Sequence, residues 1–214
     1  MKEDQKLGMK EDQKLGMKED QKLGMKEDQM MYNSLKGLFN EANKIFLQEN
    51  LNLLLQDVSE RSLCGALQCN IHEMLRGTQF RNYYVDVEYN RNIGGKSKTF
   101  VKTIQGPQME IIPIQCDLIV HSRGNNVSQD NLLALEMKKS SRPQKEKEND
   151  KIRLMCLTKN TYNPDVWTYD GTTFPEHVCG YVIGVYYEIN RKKRQIKLEY
   201  YAEGKFKESE TLTF

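Results

Sequence analysis

Between Ile111 and Lys139 the sequence reads IIPIQCDLIVHSRG, then a polar turn NNVSQDN, then LLALEMKK. Two apolar, strand-like runs flank a loop, and each carries an acid where a buried strand should have none. Asp117 lies between Cys116 and Leu118, at the head of Leu118-Ile119-Val120. Glu136 and Lys138 close the second run, and strand alternation places both on one face. A carboxylate on a mostly apolar strand costs several kcal/mol unless it is paired or binds something. Two carboxylates with a lysine beside them make a divalent metal the simplest tenant.

Such a set suits metal-assisted phosphodiester cleavage. Two hard oxygen ligands hold Mg²⁺ (or Mn²⁺), which keeps several waters and meets a phosphate oxygen. The metal lowers the pKa of a bound water and screens the charge that builds on phosphorus. A lysine two residues past the glutamate orients the attacking water or stabilises the phosphorane.

An aspartate at the start of one strand, followed by Glu-x-Lys on the next, resembles the PD-(D/E)xK nuclease superfamily. The resemblance runs from about Glu60 to Tyr187. The segments DLIVHSRG and NLLALEMKK are similar to uncharacterised bacterial members that read acidic-hydrophobic-Val-His-x-Arg-Gly, then Asn-Leu-Leu-x-x-Glu-x-Lys-Lys. The family's proline before the aspartate is absent: Cys116 stands there and Pro113 lies earlier. Proline shapes the backbone but ligates nothing, so the ligand set is untouched by that departure.

The resemblance implies an α/β fold: a restriction-endonuclease-like core with a mixed central sheet flanked by helices, and extra helices N-terminal to it. It implies a Mg²⁺-dependent nuclease whose partner is nucleic acid, DNA above all, and it leaves a homodimer open. Asp117 and Glu136 become metal ligands together with the Met137 carbonyl, and Lys138 positions the water. In SERSLCGAL, Glu60 has two readings: a further site acid acting through a water or second metal, or a first-turn acid complementing the helix dipole. Glu88 in VEYNRN is either near the site or a solvent-facing strand acid. His121 contacts a phosphate or caps the HSRG turn, to which Arg123 belongs. Lys151, in DKIRLMCLT, is a candidate for the phosphate groove, with Asp150 as helix cap.

Composition narrows the field. At 214 residues, 29% charged and 38% hydrophobic, the chain suits one soluble domain and a tail. A net charge of +2 does not announce a nucleic-acid binder, so phosphate affinity must be local or metal-borne. Five cysteines without a CxxC pair argue against disulfides or a zinc knuckle, and Cys64 and Cys69 read as small buried helix residues. No run approaches a membrane span, and no apolar signal region opens the chain, which leaves the cytoplasm as the expected compartment.

Residues 1–24 are three copies of MKEDQKLG, and a fourth diverges at Met30. One leucine per octapeptide cannot build a core, so residues 1–29 read as a low-complexity tail, helical at best in fragments, and 30–214 as the nuclease-like domain. Helical spacing follows from Met31, and Ser59 is a natural N-cap for a helix from Glu60 to about Leu75. YYVDVEY predicts a strand, and a glycine-containing turn leads to a second strand at 99–104, with Lys96, Lys98 and Lys102 as a basic edge. SSRPQKEKEND reads as a mobile loop, followed by a helix over about 151–159 with Ile152, Met155 and Cys156 inward. Residues 180–189 predict an apolar strand, and 195–202 a final edge strand. The rival to a nuclease is the same fold with catalysis lost, serving recognition of nucleic acid or protein. An assembly protein built on the N-terminal helices would leave the acid pair unexplained.

Overall fold

In a computed structural model of the chain, residues 2–89, 99–103, 109–113, 116–126, 129–159 and 180–214 are described. They divide into two compact units, Met1–Ser34 and Leu35–Phe214. A single helix, α1 (Lys2–Glu49), begins in the first and ends in the second. The octapeptides are therefore continuous helix, not fragments: Lys, Glu, Gln, Leu and Met are all good helix formers, and only the aspartate and glycine of each repeat oppose them.

The second unit is a mixed α/β structure with a six-stranded sheet flanked by helices. After the short α2 (Leu51–Leu55) comes α3 (Glu60–Arg76), then β1 (Tyr84–Val87), β4 (Leu118–His121) and β5 (Asn131–Lys139). Helix α4 (Gln144–Leu157) leads to β6 (Ile183–Asn190), β7 (Gln195–Ala202) and β8 (Lys205–Thr213). The sheet order is β1-β4-β5-β6-β7-β8, antiparallel throughout except for the parallel β5–β6 pair. Two strands of a separate small sheet, β2 (Thr99–Thr103) and β3 (Met109–Pro113), pair with each other.

Several expectations change here. The strand at 99–103 pairs with β3, not with the strand before it. Gln195–Ala202 is an inner strand, because Glu203 and Gly204 turn at positive φ (53° and 72°) into β8, which becomes the edge. Helix α4 starts at Gln144, inside the segment expected to be a loop. The lysines at 96 and 98, and the segment 160–179, lie outside the described residues.

The α3 helix follows its sequence closely. Ser59 Oγ accepts from the Ser62 N–H at 3.0 Å, satisfying one of the free donors of the first turn. Leu63, Cys64, Leu67, Ile71 and Leu75 are buried at three-and-four spacing. Cys69, off that stripe, is exposed rather than buried. On the sheet face toward α3, Cys64 Sγ lies 3.7 Å from Met137 Sδ. The end of α1 covers the same face: Asn43 Oδ1 accepts from Tyr187 at 2.8 Å, Asn40 Oδ1 from Tyr200 at 2.7 Å, and Phe39 meets the Tyr200 ring edge-on. Each large apolar side chain buried there contributes about 1.5–3 kcal/mol.

The opposite face meets α4. Gly184 permits this close approach, since a Cβ there would lie 3.1 Å from Thr158 Cγ2 and 3.3 Å from Leu154 Cβ. Ala134, Leu154, Leu157, Tyr186 and Tyr201 form the apolar part of this layer. Among the described residues no helix is long and apolar enough to cross a membrane.

Candidate active site

Because β4 and β5 are antiparallel, the start of β4 and the end of β5 meet at one end of the sheet's strands. Asp117 directly precedes β4, and its Oδ2 accepts the Met137 N–H at 2.8 Å. Glu136 and Lys138 project to the α4 side of β5, while Met137 and Lys139 project to the α3 side. The expected face assignment is therefore met: Lys139 Nζ pairs with Asp57 at 2.8 Å, away from the acids.

The α4 side holds more charge than the sequence reading anticipated. Asp150 sits in the middle of α4 and does not cap it; Pro143 occupies the N-cap position. Its carboxylate is buried, with Oδ2 3.2 Å from Lys138 Nζ and Oδ1 3.2 Å from Arg153 Nη1. Lys138 Nζ is also 3.7 Å from Asp117 Oδ2 and so bridges two acids. Arg153 Nη1 lies 2.6 Å from Glu136 Oε1, and Glu136 is only 1% exposed. Asp150 and Arg153 are thus site residues that sequence reasoning missed. Their four-and-three spacing with Leu154 and Leu157 was the available signal, but it reads as an apolar stripe only if charges are allowed on it.

Electrostatics follow from burial. Desolvation pushes the Glu136 carboxyl up to about 8, and Asp117 and Asp150 add to this, against the pull of Arg153. Burial also raises Asp117, which Lys138 and the Met137 N–H only partly offset. For Lys138, burial alone would lower the pKa, but Asp117, Asp150 and Glu136 outweigh it and hold the ammonium charged. Arg153 is likewise held charged, because Glu136 and Asp150 outweigh its desolvation.

The remaining candidates distribute elsewhere. Glu60, at the first turn of α3, accepts the Lys139 N–H at 2.8 Å and the Arg142 guanidinium at 3.3 Å, tying the end of β5 to α3. It is the acid of the first turn of α3, as the dipole reading expects, and its charge also raises the Asp117 pKa. Glu88, at positive φ (52°), donates its backbone N–H to the Asp117 carbonyl at 3.2 Å and sends its carboxylate to Arg61 at 2.9 Å. Lys151 turns from the acid cluster to Glu199 on β7 at 2.8 Å, with its ammonium over the Tyr186 ring. His121 and Arg123 gather at the far end of β4, roughly 13 Å of strand from Asp117. Both bind Asp86: His121 Nε2 at 2.9 Å, and Arg123 Nε and Nη2 at 2.8 and 2.5 Å. Burial would raise Asp86, but Arg123 and His121 outweigh it and hold it below the usual range. This clamp closes the HSRG turn and leaves neither side chain beside the acid pair.

Among the described residues no three His, Cys, Asp or Glu side chains are arranged to hold a metal ion. The donor set is therefore two carboxylates, Asp117 and Glu136. Each has one oxygen engaged by protein, Asp117 Oδ2 by Met137 and Lys138, and Glu136 Oε1 by Arg153. The Met137 carbonyl lies on the same side of the strand as its N–H and accepts from Lys138 Nζ at 3.4 Å. Two carboxylates and a carbonyl fit a hard cation that keeps several waters.

Comparison with protein-family models, with curated proteins and with solved structures finds no match for this chain.

Proposed function

We propose that this chain is a Mg²⁺- or Mn²⁺-dependent nuclease that hydrolyses phosphodiester bonds, of DNA above all, on a restriction-endonuclease-like core. The observation that carries the reading is the bridge made by Lys138 between Asp117 and the α4 acid, with Glu136 beside it on the same strand face. The β4–β5 antiparallel pair, the α4 crossover and the parallel β6 support the fold assignment.

Asp117, Glu136 and the Met137 carbonyl would hold the cation. When bound, it lowers the pKa of a water and screens charge at phosphorus. Lys138, kept charged by its neighbours, orients the incoming water and stabilises negative charge as it builds. Asp150 fixes the Lys138 ammonium in place at 3.2 Å. Glu60 holds the end of β5, and with it the Lys138 backbone, against α3.

One observation favours a second reading, a recognition module that has lost catalysis. Arg153 already neutralises Glu136, as a protein with no use for a cation would require. The two are separated by a melting experiment in Mn²⁺ with and without DNA. For the nuclease, millimolar Mn²⁺ raises the melting temperature in a concentration-dependent way and Asp117→Asn removes that response. No response in either condition removes the main support for the site.

A further inference from the structure

Two cations stand within the acid cluster, and they are not equivalent. Lys138 is enclosed by Asp117 and Asp150. Arg153 reaches in from α4, with its side chain 24% exposed against 1% for Glu136 and 5% for Asp150. Asp117, with its side chain 25% exposed, reaches solvent to the same degree, so the cluster opens to water at Asp117 and at Arg153. Asp150 Oδ2, moreover, is buried, and its close contact is the ion pair with the Lys138 ammonium at 3.2 Å.

Geometry indicates what Arg153 does: its Nη1 is shared between Glu136 Oε1 at 2.6 Å and Asp150 Oδ1 at 3.2 Å. A cation taken at Glu136 Oε1 would compete with Arg153, whose guanidinium already holds that oxygen. A guanidinium displaced from a carboxylate has the planar fork that suits two phosphate oxygens.

We infer that Arg153 is a phosphodiester-binding residue held in reserve by Glu136. Cation binding releases its guanidinium from Glu136 Oε1, and the freed fork takes the substrate phosphate, so metal and nucleic acid bind cooperatively. The inference rests on the metal reading above and names the residue that joins the two ligands. Linkage makes the effect reciprocal: each ligand tightens the other by the same factor.

The test is calorimetric titration of Mn²⁺ into the full chain, alone and with a short phosphorothioate DNA duplex that is slow to hydrolyse. In the wild type the duplex should tighten Mn²⁺ binding by roughly 5- to 100-fold. Arg153→Gln should bind Mn²⁺ alone more tightly than wild type, because a competing cation is gone, and should show no gain from the duplex. Arg153→Lys keeps the charge at Glu136 but loses the fork. It should fold even if Arg153→Gln does not, and its coupling should be reduced. Wild-type coupling in either variant, or no coupling in the wild type, overturns the inference while leaving the metal reading in place. Absence of Mn²⁺ binding in every form, with DNA or without, overturns the metal reading itself.

Discussion

Helices α3 and α4 lie against opposite faces of the same strand, yet they are built on different chemistry. Toward α3, strand β5 presents Leu133, Leu135 and Met137, and α3 answers with Leu63, Cys64, Leu67, Ile71 and Leu75. Toward α4, the same strand presents Ala134, Glu136 and Lys138, and the helix answers with Leu154 and Leu157 but also with Lys147, Asp150 and Arg153. The charges continue across the sheet: Lys147 pairs with Glu188 at 3.2 Å, and Glu199 is held by Lys151 and Lys197 at 2.8 and 2.6 Å. One face stabilises the fold by removing apolar surface from water. The other keeps buried charges paired, an arrangement that adds little net stability and is strongly disrupted when one partner is removed. That division separates a layer that holds the strand by apolar burial from a layer that carries the charges of the proposed site.

The comparison can be broken most severely from the α3 side. Leu67 is fully buried, and Leu67→Ala should cost about 2–5 kcal/mol in denaturant unfolding. A loss below about 1 kcal/mol would show that α3 is not the structural face.

The α4 side should instead respond to pH. In the unfolded chain Glu136 titrates near its ordinary 4.5, and in the folded chain near 8. Between those values the folded state binds the extra proton, so metal-free stability should fall as pH rises through this window and level off above it. At about 1.4 kcal/mol per pH unit, the total is on the order of a few kcal/mol. Glu136→Gln should flatten the profile; a profile that keeps its slope would assign the titration to another group.

Lys138 and Lys139 sharpen the contrast within one strand. Lys138→Ala should slow DNA cleavage in Mg²⁺ by about 10²–10³, or roughly 2.7–4 kcal/mol in the barrier, with little change in DNA affinity. Lys139→Ala breaks only an exposed pair with Asp57 and should leave turnover unchanged. Equal effects in single-turnover assays would dissolve the distinction between the faces.

The helix starts offer the smallest effect. Ser59→Ala removes the side-chain cap of α3 and should cost about 1 kcal/mol. At α4, Pro143 makes no side-chain cap bond, and Pro143→Ala should change stability by less than Ser59→Ala does. Thermal melts of both variants rank them directly.

Local rules carried some of this structure by themselves. Period-two alternation assigned Glu136 and Lys138 to one face and Lys139 to the other, because a strand's side chains obey that alternation whatever they pack against. Ser59 and the apolar spacing that follows it specified α3, since cap and stripe are encoded within one segment. The same rules failed at α4. Its buried face contains Lys147 and Asp150, while Ile152, expected inward, is 37% exposed. A helix whose inner face is half charged has no apolar period to read, so both its start and its phase were lost.

Strand partners were beyond reach for a related reason: nothing local distinguishes β1 pairing with β2 from β1 pairing with β4, or marks β8 as the edge beyond β7. The sequence alone determined that two acids and a lysine occupy strand positions where burial makes isolated charge costly. Only the tertiary structure decided which charges meet them. It brought Asp150 and Arg153 from α4 to Glu136 and Lys138, and took His121 and Arg123 away to Asp86. Ion pairing depends on distance in space, and Lys139 and Asp57 pair across 82 positions of sequence, a separation that no local pattern records.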